Sequence, residues 1–483
     1  MFKRILSALL IAVILLSASC GDKGKSGDTP AETEQNTTPE QVETTETEPE
    51  TGFKDDVPDT DYEGKEFRIR TIENANVHSI VDVEEQTGDT YFDSLYIRNR
   101  AIEDRFNIKI VGTVVADNAG EAKIILAGDD AFDVASVRCV NAITMWEDNL
   151  LINTEDVPNI DLTKPYWSQS INESISLANQ NYVAIGAFDM NVYDLTFCLL
   201  FNKNVAESFS LENMYSLVDE GKFTMDKMSE QMQVVLADLN GDDKFDKNDR
   251  WGYLAHPKNV LPGFWIGAGE KTIQKDENDL PYNNMMTDRF NSVFNKTFEI
   301  TYDTGVYFRK MSCDCDVPSQ GRKMFAQDQS LFLDANLFYI AALRDMETDF
   351  GILPYPKYDE TQDRYYSRVS YYWCCIIPVT NKDLSFTGAI LEALNCESAN
   401  TVVPAYYEIA LKGKYSRDTE SEQMLQLIAD NRIVDIGDTT MCNKIRDGFM
   451  ASLFEANKRD LASKLASVES QLQEYIEKIP QKN

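Results

Sequence analysis

From Lys65 to Asn483 the chain offers 419 residues of globular composition to be folded. One hydrophobic core rarely grows so large, so two lobes are predicted. Short apolar strands alternate with helical patterns along this body. Phe67-Arg68-Ile69-Arg70-Thr71-Ile72 alternates as a first strand, Phe92 to Phe106 has helix spacing, and Asn107 to Val114 alternates again. Phe132 to Val137 reads as a buried strand. This βαβα order predicts an α/β body with mostly parallel sheets. Leu461, Leu465, Val468, Leu472, Tyr475 and Ile479 recur at helical spacing, marking a core-facing C-terminal helix that stops before Pro480.

What precedes the body sets its compartment. Lys3 and Arg4 are followed by an apolar run from Ile5 to Leu16, then Ser17-Ala18-Ser19-Cys20. The run is short for a membrane span and reads as a secretory signal over residues 1–20. A Cys directly after small residues resembles the bacterial lipobox, although Ser17 stands where Leu is usual. Cys20 is then the lipidated mature N-terminus, and acyl chains there anchor the protein to the outer face of the cell membrane. The alternative is an ordinary signal cleaved near Ala18. Residues 21–64 hold 14 Asp and Glu against 3 Lys and Arg, with hardly an apolar residue. Such a segment cannot bury enough surface to fold and its like charges keep it extended, so a disordered tether is expected.

The whole chain has 46 Lys and Arg against 80 Asp and Glu, a net charge of −34. Nucleic acid and an anionic membrane surface are therefore poor partners. Nine cysteines do not suggest a disulfide framework. Cys374 and Cys375 are adjacent, Cys313 and Cys315 are one residue apart, and Cys139, Cys198, Cys396 and Cys442 are scattered. Free, buried thiols are the favoured reading; connectivity is not readable from spacing.

Residues 238–249 read Asp-Leu-Asn-Gly-Asp-Asp-Lys-Phe-Asp-Lys-Asn-Asp. Side-chain oxygens fall at loop positions 1, 3, 5, 9 and 12: Asp238, Asn240, Asp242, Asp246 and Asp249. Lys244 at position 7 can offer its carbonyl. This is the spacing by which an EF-hand-type loop wraps a hard cation, so a structural Ca²⁺ is expected. Asp243 replaces the usual glycine at position 6, making the sharp turn there harder. Phe245 would pin the loop to apolar neighbours. The competing reading is an acidic surface turn without metal.

Asp93-Ser94-Leu95-Tyr96-Ile97-Arg98-Asn99-Arg100 and Glu103-Asp104-Arg105-Phe106-Asn107 look like the first helix and second strand of the extracellular solute-binding proteins of family 1, the sugar-type binding lipoproteins of ABC importers. Asp133-Val134 looks like the strand whose tip enters the cleft. Pro165-Tyr166-Trp167 and Leu199-Leu200-Phe201-Asn202-Lys203 are similar to segments flanking the first inter-lobe crossing. Gly221-Lys222-Phe223-Thr224, with Phe223 where Trp is usual, resembles the motif before the cation loop. Phe350-Gly351-Ile352-Leu353-Pro354-Tyr355-Pro356-Lys357 looks like the second crossing.

The resemblance implies a two-lobed periplasmic-binding-protein type II fold with an inter-lobe ligand cleft. Lobe one would take residues 65–190, 352–400 and the C-terminal helix; lobe two would take 195–348 and part of 401–445. A monomer would trap a small molecule or oligosaccharide by hinge closure and deliver it to the importer's permease subunits. Sugars call for flat aromatic rings and planar polar side chains. Trp265, between Gly263 and Gly267, and Trp373 with Tyr371 and Tyr372 are the expected platforms. Arg138, Asp189, Asp334 and Asn336 are the expected hydroxyl partners. Trp251 reads as structural, and Trp146 and Trp167 as core or cleft.

Catalysis finds little support. His78 and His256 are the only histidines, and neither HExxH nor Gly-x-Ser-x-Gly occurs. Carboxylate pairs that could serve a glycosidase are unavoidable among 80 acidic residues and decide nothing. The alternatives left open are a lipid-anchored, calcium-stabilised polysaccharide-degrading enzyme and a glycan adhesin.

Overall fold

The computed structural model describes residues 52–72, 78–116, 120–308, 317–340, 343, 346–412, 419–466 and 469–478. Cys20 and residues 21–51 of the acidic segment lie outside them. Gly52–Asn483 forms one compact unit built on two four-stranded sheets. In chain order these strands are β1 (Lys65–Ile72), β2 (Ile108–Val115), β3 (Val134–Arg138), β4 (Phe197–Asn202), β5 (Trp251–Leu254), β6 (Ser330–Asn336), β7 (Phe350–Leu353) and β8 (Trp373–Ile376). The first sheet runs β8-β3-β1-β2 and the second β5-β6-β4-β7.

Pairing in the first sheet is parallel for β1 with β2, from Lys65↔Ile108 to Ile72↔Val115, and for β1 with β3. Only β8 runs against its neighbour, with Trp373 opposite Arg138. The second sheet departs from the mostly parallel expectation. β5 and β6 are parallel, but β4 is antiparallel to both β6 and β7. The reason is connectivity. β4 carries the chain into this lobe and β7 carries it out, and an entering strand beside a leaving strand must run against it.

Local sequence explains the covering helices. In α1 (Thr90–Phe106), Asp89 caps the start by accepting from Tyr91 N and Phe92 N, both at 3.0 Å. The helix ends at Asn107, whose φ of 46° is a left-handed value that Asn tolerates. Ile102 and Phe106 of α1 pack with Phe67, Ile69 and Val134 of the first sheet. The next residues of β3 and beyond, Ala135, Val137 and Cys139, face the other way, into the core with α2 (Cys139–Glu147). β4 is buried throughout and splits by alternation. Leu199 and Phe201 pack toward Phe264 of α3 (Pro257–Gly267), while Cys198 and Leu200 face Phe325. Each such Leu or Phe taken fully from water contributes about 1.5–3 kcal/mol. α4 (Leu384–Asn400) returns to the first sheet, and α5 (Thr419–Asp430) lays Leu425 and Ile428 in the same cluster as Leu200, Leu333 and Ile352 of the second.

Residues 52–64, assigned by composition to a disordered tether, lie against the first lobe. Phe53 N donates to Asn400 Oδ1 at 2.8 Å, and Val57 is buried. Arg105 holds Asp55 and Asp59 at 2.8 and 2.7 Å, and Lys164 pairs with Asp56. Tyr62 meets Phe386 edge-on, 4.8 Å between centroids. The acidic residues here meet fixed cations, which a composition count cannot foresee. At the other end, Leu461 and Leu465 are buried in helix Leu461–Ala466. Helix Glu469–Lys478 follows, with Glu469 bonded to Asn283 at 3.0 Å and Lys478 3.6 Å from Glu147 of α2.

Two of the passages between the sheets lie side by side. Thr196 and Val369 form an antiparallel bridge, and Ser370 N donates to Leu195 O at 3.2 Å. Ser367–Arg368 also pairs in parallel with Arg432–Ile433. Arg368 and Asp438 are both fully buried; Nε and Nη2 donate to the two carboxylate oxygens at 2.7 and 2.9 Å. Arg446 adds a bond to Asp438 Oδ1 at 3.2 Å. Replacing Arg368 by Met should lower unfolding stability by about 3 kcal/mol, the low end for stranding a buried charge because Arg446 stays in place. Urea denaturation reads this, and an unshifted midpoint would show that Arg446 alone satisfies Asp438.

Candidate functional site

A cavity of about 290 Å³ opens beside the crossings. The carboxyl ends of the parallel strands aim at it, where α/β sheets place their ligands. β5 ends at Leu254 and leads to His256, and β6 ends at Asn336; both residues line the cavity. Facing them are Ser370 and Tyr371, just before β8. Arg138, the last residue of β3, lies over the Tyr371 ring with Cζ 4.5 Å from its centroid.

Asp334 and Asn259 sit together on the lining. The Tyr355 hydroxyl donates to Asp334 Oδ1, and Asn259 Nδ2 donates to Oδ2 at 3.0 Å. Burial raises the Asp334 pKa above the usual carboxylate value, and these two donors oppose the rise. Asn259 Oδ1 in turn accepts from Arg368 Nη1 at 3.1 Å, which joins the lining to the buried Arg368–Asp438 pair. His256 accepts at Nδ1 from Lys258 N at 3.1 Å and caps α3. Burial lowers its pKa, which favours the neutral ring with Nε2 as donor.

The walls are aromatic and basic. Tyr371 takes φ of 58°, a left-handed value unusual for a bulky residue. Its ring has Arg138 Cζ at 4.5 Å and Arg446 Cζ at 4.6 Å. Arg322 lies 5.7 Å from the Tyr339 ring. The arrangement supplies flat rings beside planar polar groups.

Of the residues singled out from sequence, Asp334 and Asn336 line the cavity, and Arg138 reaches its wall through Tyr371. Asn336 Oδ1 is already engaged by Tyr339 N at 3.0 Å. Trp373 is 7% exposed, beneath Arg138 and packed with Ile72 and Leu195, and its indole N–H is buried without a partner. Tyr372 points the other way, toward Cys139, Trp146 and Tyr182. Asp189 is buried in the first lobe, its pKa pushed up to about 8 by burial.

Trp265 differs most from expectation. It lies in helix α3, 2% exposed, with its indole N–H donated to Asp435 at 3.0 Å. The flanking glycines do not open a loop. A Cβ at Gly263 would come within 2.4 Å of the Tyr355 ring, so glycine there admits that ring against the helix. His256, Asn259, Arg322, Tyr339 and Arg446 escaped the sequence reading. They come from four separated segments with no shared spacing, and Tyr371 differs from its neighbour Tyr372 only by the direction a left-handed residue imposes.

The 238–249 loop closes on itself. Asp238 accepts from Gly241 N and Asp243 N at 2.7 and 2.9 Å, Asp242 from Lys244 N at 2.9 Å and Asp246 from Asn248 N at 2.8 Å. Asp243, at the position where glycine is usual, takes φ of 56°, so the sharp turn is made. Phe245 is exposed but meets Trp251 edge-on at 5.6 Å. Asp249 is fully buried and, among the described residues, accepts only backbone N–H groups, from Leu239 and Asp246. A buried carboxylate with no cationic side chain fits the donor set of a hard cation. Among the described residues, no three His, Cys, Asp or Glu side chains converge as a ready-made ligand cluster.

No protein-family model matches the chain, and no curated protein matches its sequence. Solved structures do match. The cyclic α-maltosyl-1,6-maltose binding protein from Arthrobacter globiformis aligns at TM-score 0.58 and 12% identity, covering 86% of this chain and 99% of that one. The sugar-binding protein MalE from Xanthomonas citri aligns at 0.57 and 11%, covering 86% and 98%. UspC of M. tuberculosis aligns at 0.55 and 12%, covering 84% and 98%. At these identities the likeness is one of fold.

Proposed function

We propose that this chain, which has the two-lobed α/β fold of the type II periplasmic binding proteins, captures a carbohydrate, an oligosaccharide, between its lobes and delivers it to an ABC importer. The observation that carries this reading is the cavity at the carboxyl ends of both sheets. There the rings of Tyr339 and Tyr371 stand beside Asp334, Asn259 and Asn336, the pairing of flat faces and planar polar groups that sugars need. Closure would turn about the paired crossings at Thr196 and Val369. A binding protein takes up its ligand without turnover. Purified protein should therefore gain melting temperature with at least one member of an oligosaccharide panel. At a hundred times the dissociation constant the stabilisation is about 2.7 kcal/mol. No new reducing ends should appear. Silence across the panel, or cleavage of the stabilising sugar, would sink the reading.

The cation loop belongs to this proposal as a structural Ca²⁺ site. Asp238, Asn240, Asp242, Asp246 and Asp249, with the Lys244 carbonyl, would hold the ion, and its charge would compensate buried Asp249. The ion would tie the turn to strand β5, which begins at Trp251. Chelator should lower the melting temperature and added calcium restore it, while Asp238→Ala should melt early and ignore both. A wild type indifferent to chelator would remove the metal from the account.

We also propose that Cys20 carries the lipid that holds the protein at the outer face of the cell membrane, on the strength of the apolar run and small residues before it. In a bacterial host the wild type should sediment with membranes, and Cys20→Ala should be released or keep its signal. Membrane retention of a correctly cleaved Cys20→Ala would rule out the anchor.

A further inference from the structure

The charge of the cavity is opposite to that of the chain. The protein carries a net charge of −34, yet Lys258, Arg322 and Arg446 line the cavity and, among the described residues, Asp334 is its only lining carboxylate. Asp334 is turned toward Tyr355 and Asn259, which already use its two oxygens. Arg446 and Lys258 share Asp447, at 3.0 and 3.6 Å, and Arg446 also meets Asp438, which Arg368 holds. Two guanidiniums are left over. Arg322 meets the Tyr339 ring, and Arg138 meets the rings of Tyr371 and Trp373; among the described residues neither has a carboxylate partner. The Nε of Arg138 is buried with no hydrogen bond.

A half-buried guanidinium without a counter-ion in so acidic a protein is costly unless something anionic visits it. Stacking on an aromatic face leaves the in-plane N–H groups free, and those form the fork that fits a carboxylate or sulfate. Arg322 lines the cavity on the side of β6 in the second sheet, and Arg138, at the end of β3 in the first, reaches its wall through Tyr371. An anionic occupant would therefore be drawn to both lobes and favour closure, because each lobe contributes one uncompensated charge.

We propose that the carbohydrate taken by this site is acidic, an oligosaccharide bearing carboxylate or sulfate groups, with Arg322 and Arg138 as the residues that select for the charge. This rests on the carbohydrate reading above and narrows it.

The test titrates the purified protein calorimetrically with six probes. Three are acidic: trigalacturonate, trimannuronate and a sulfated chondroitin disaccharide. Three are neutral: methyl-esterified trigalacturonate, maltotriose and xylotriose. At least one acidic probe should bind ten or more times tighter than every neutral one, since a charge-assisted hydrogen bond is worth at least about that factor. Its affinity should fall as salt rises. Arg322→Gln and Arg138→Gln should each weaken that probe about tenfold. Arg322→Gln should leave the melting temperature of the unbound protein unchanged, because no described residue forms an ion pair with Arg322. A neutral probe that binds as tightly as the best acidic one overturns the acidic assignment and keeps the carbohydrate reading. Binding by none of the six overturns both. Acidic binding indifferent to both substitutions overturns the selecting role of these two arginines.

Discussion

Arg368 and Asp438 are each completely shielded from water, and the ion pair between them is the constraint around which the rest is arranged. Neither charge could be buried alone, so each fixes the position of the other's segment. Arg368 belongs to the second crossing between the lobes, and Asp438 to the segment that follows α5. Their bond brings two distant parts of the chain to the same place. Ser370 Oγ then receives both Arg368 Nη2 at 2.9 Å and Arg446 Nη1 at 3.0 Å. Asn259 ties the same guanidinium to the cavity lining. The cavity is thus built on a fixed polar framework in the second lobe and the crossings, and side chains of its lining stand on it.

The two crossings are joined by the Thr196–Val369 bridge, whose hydrogen bond runs from Ser370 N to Leu195 O, and by Arg368 Cζ lying 4.4 Å from the centroid of the Phe197 ring. The framework beneath them is stiff. The closure proposed above would therefore bend a few residues on the first-lobe side of the network, between it and β8. Tyr371 lies in that stretch, so the most constrained ring of the site would sit where the chain bends.

Much of this was legible in the sequence because it is local. The first helix and the strands on either side follow from apolar spacing, and the helix spacing from Phe92 to Phe106 agrees with α1 to within two residues. Strand direction was not legible in the second sheet, because β4 and β7 look like any buried strands and only the path of the chain decides how they run. Site residues were partly legible. Asp334 and Asn336 lie at the end of a strand, where sequence can place them. Trp265 misled because glycine has two uses, freedom of the backbone and room for a neighbour, and the sequence does not say which. Arg322, Arg446 and Asn259 could not be found in advance, since they meet only in three dimensions. Composition misjudged residues 52–64 for the same reason, as Arg105 and Lys164 lie far away in sequence.

Tyr371 has one further implication. A left-handed backbone at that position suits glycine and costs a bulky residue on the order of 1 kcal/mol. Selection for stability alone would favour the smallest residue there, and selection for the site asks for a ring between Arg138 and Arg446. The two demands are opposed at a single codon. Drift at Tyr371 would thus be biased toward a sturdier protein with an emptier cavity, and the persistence of an aromatic residue there among related chains would itself report that the cavity is in use.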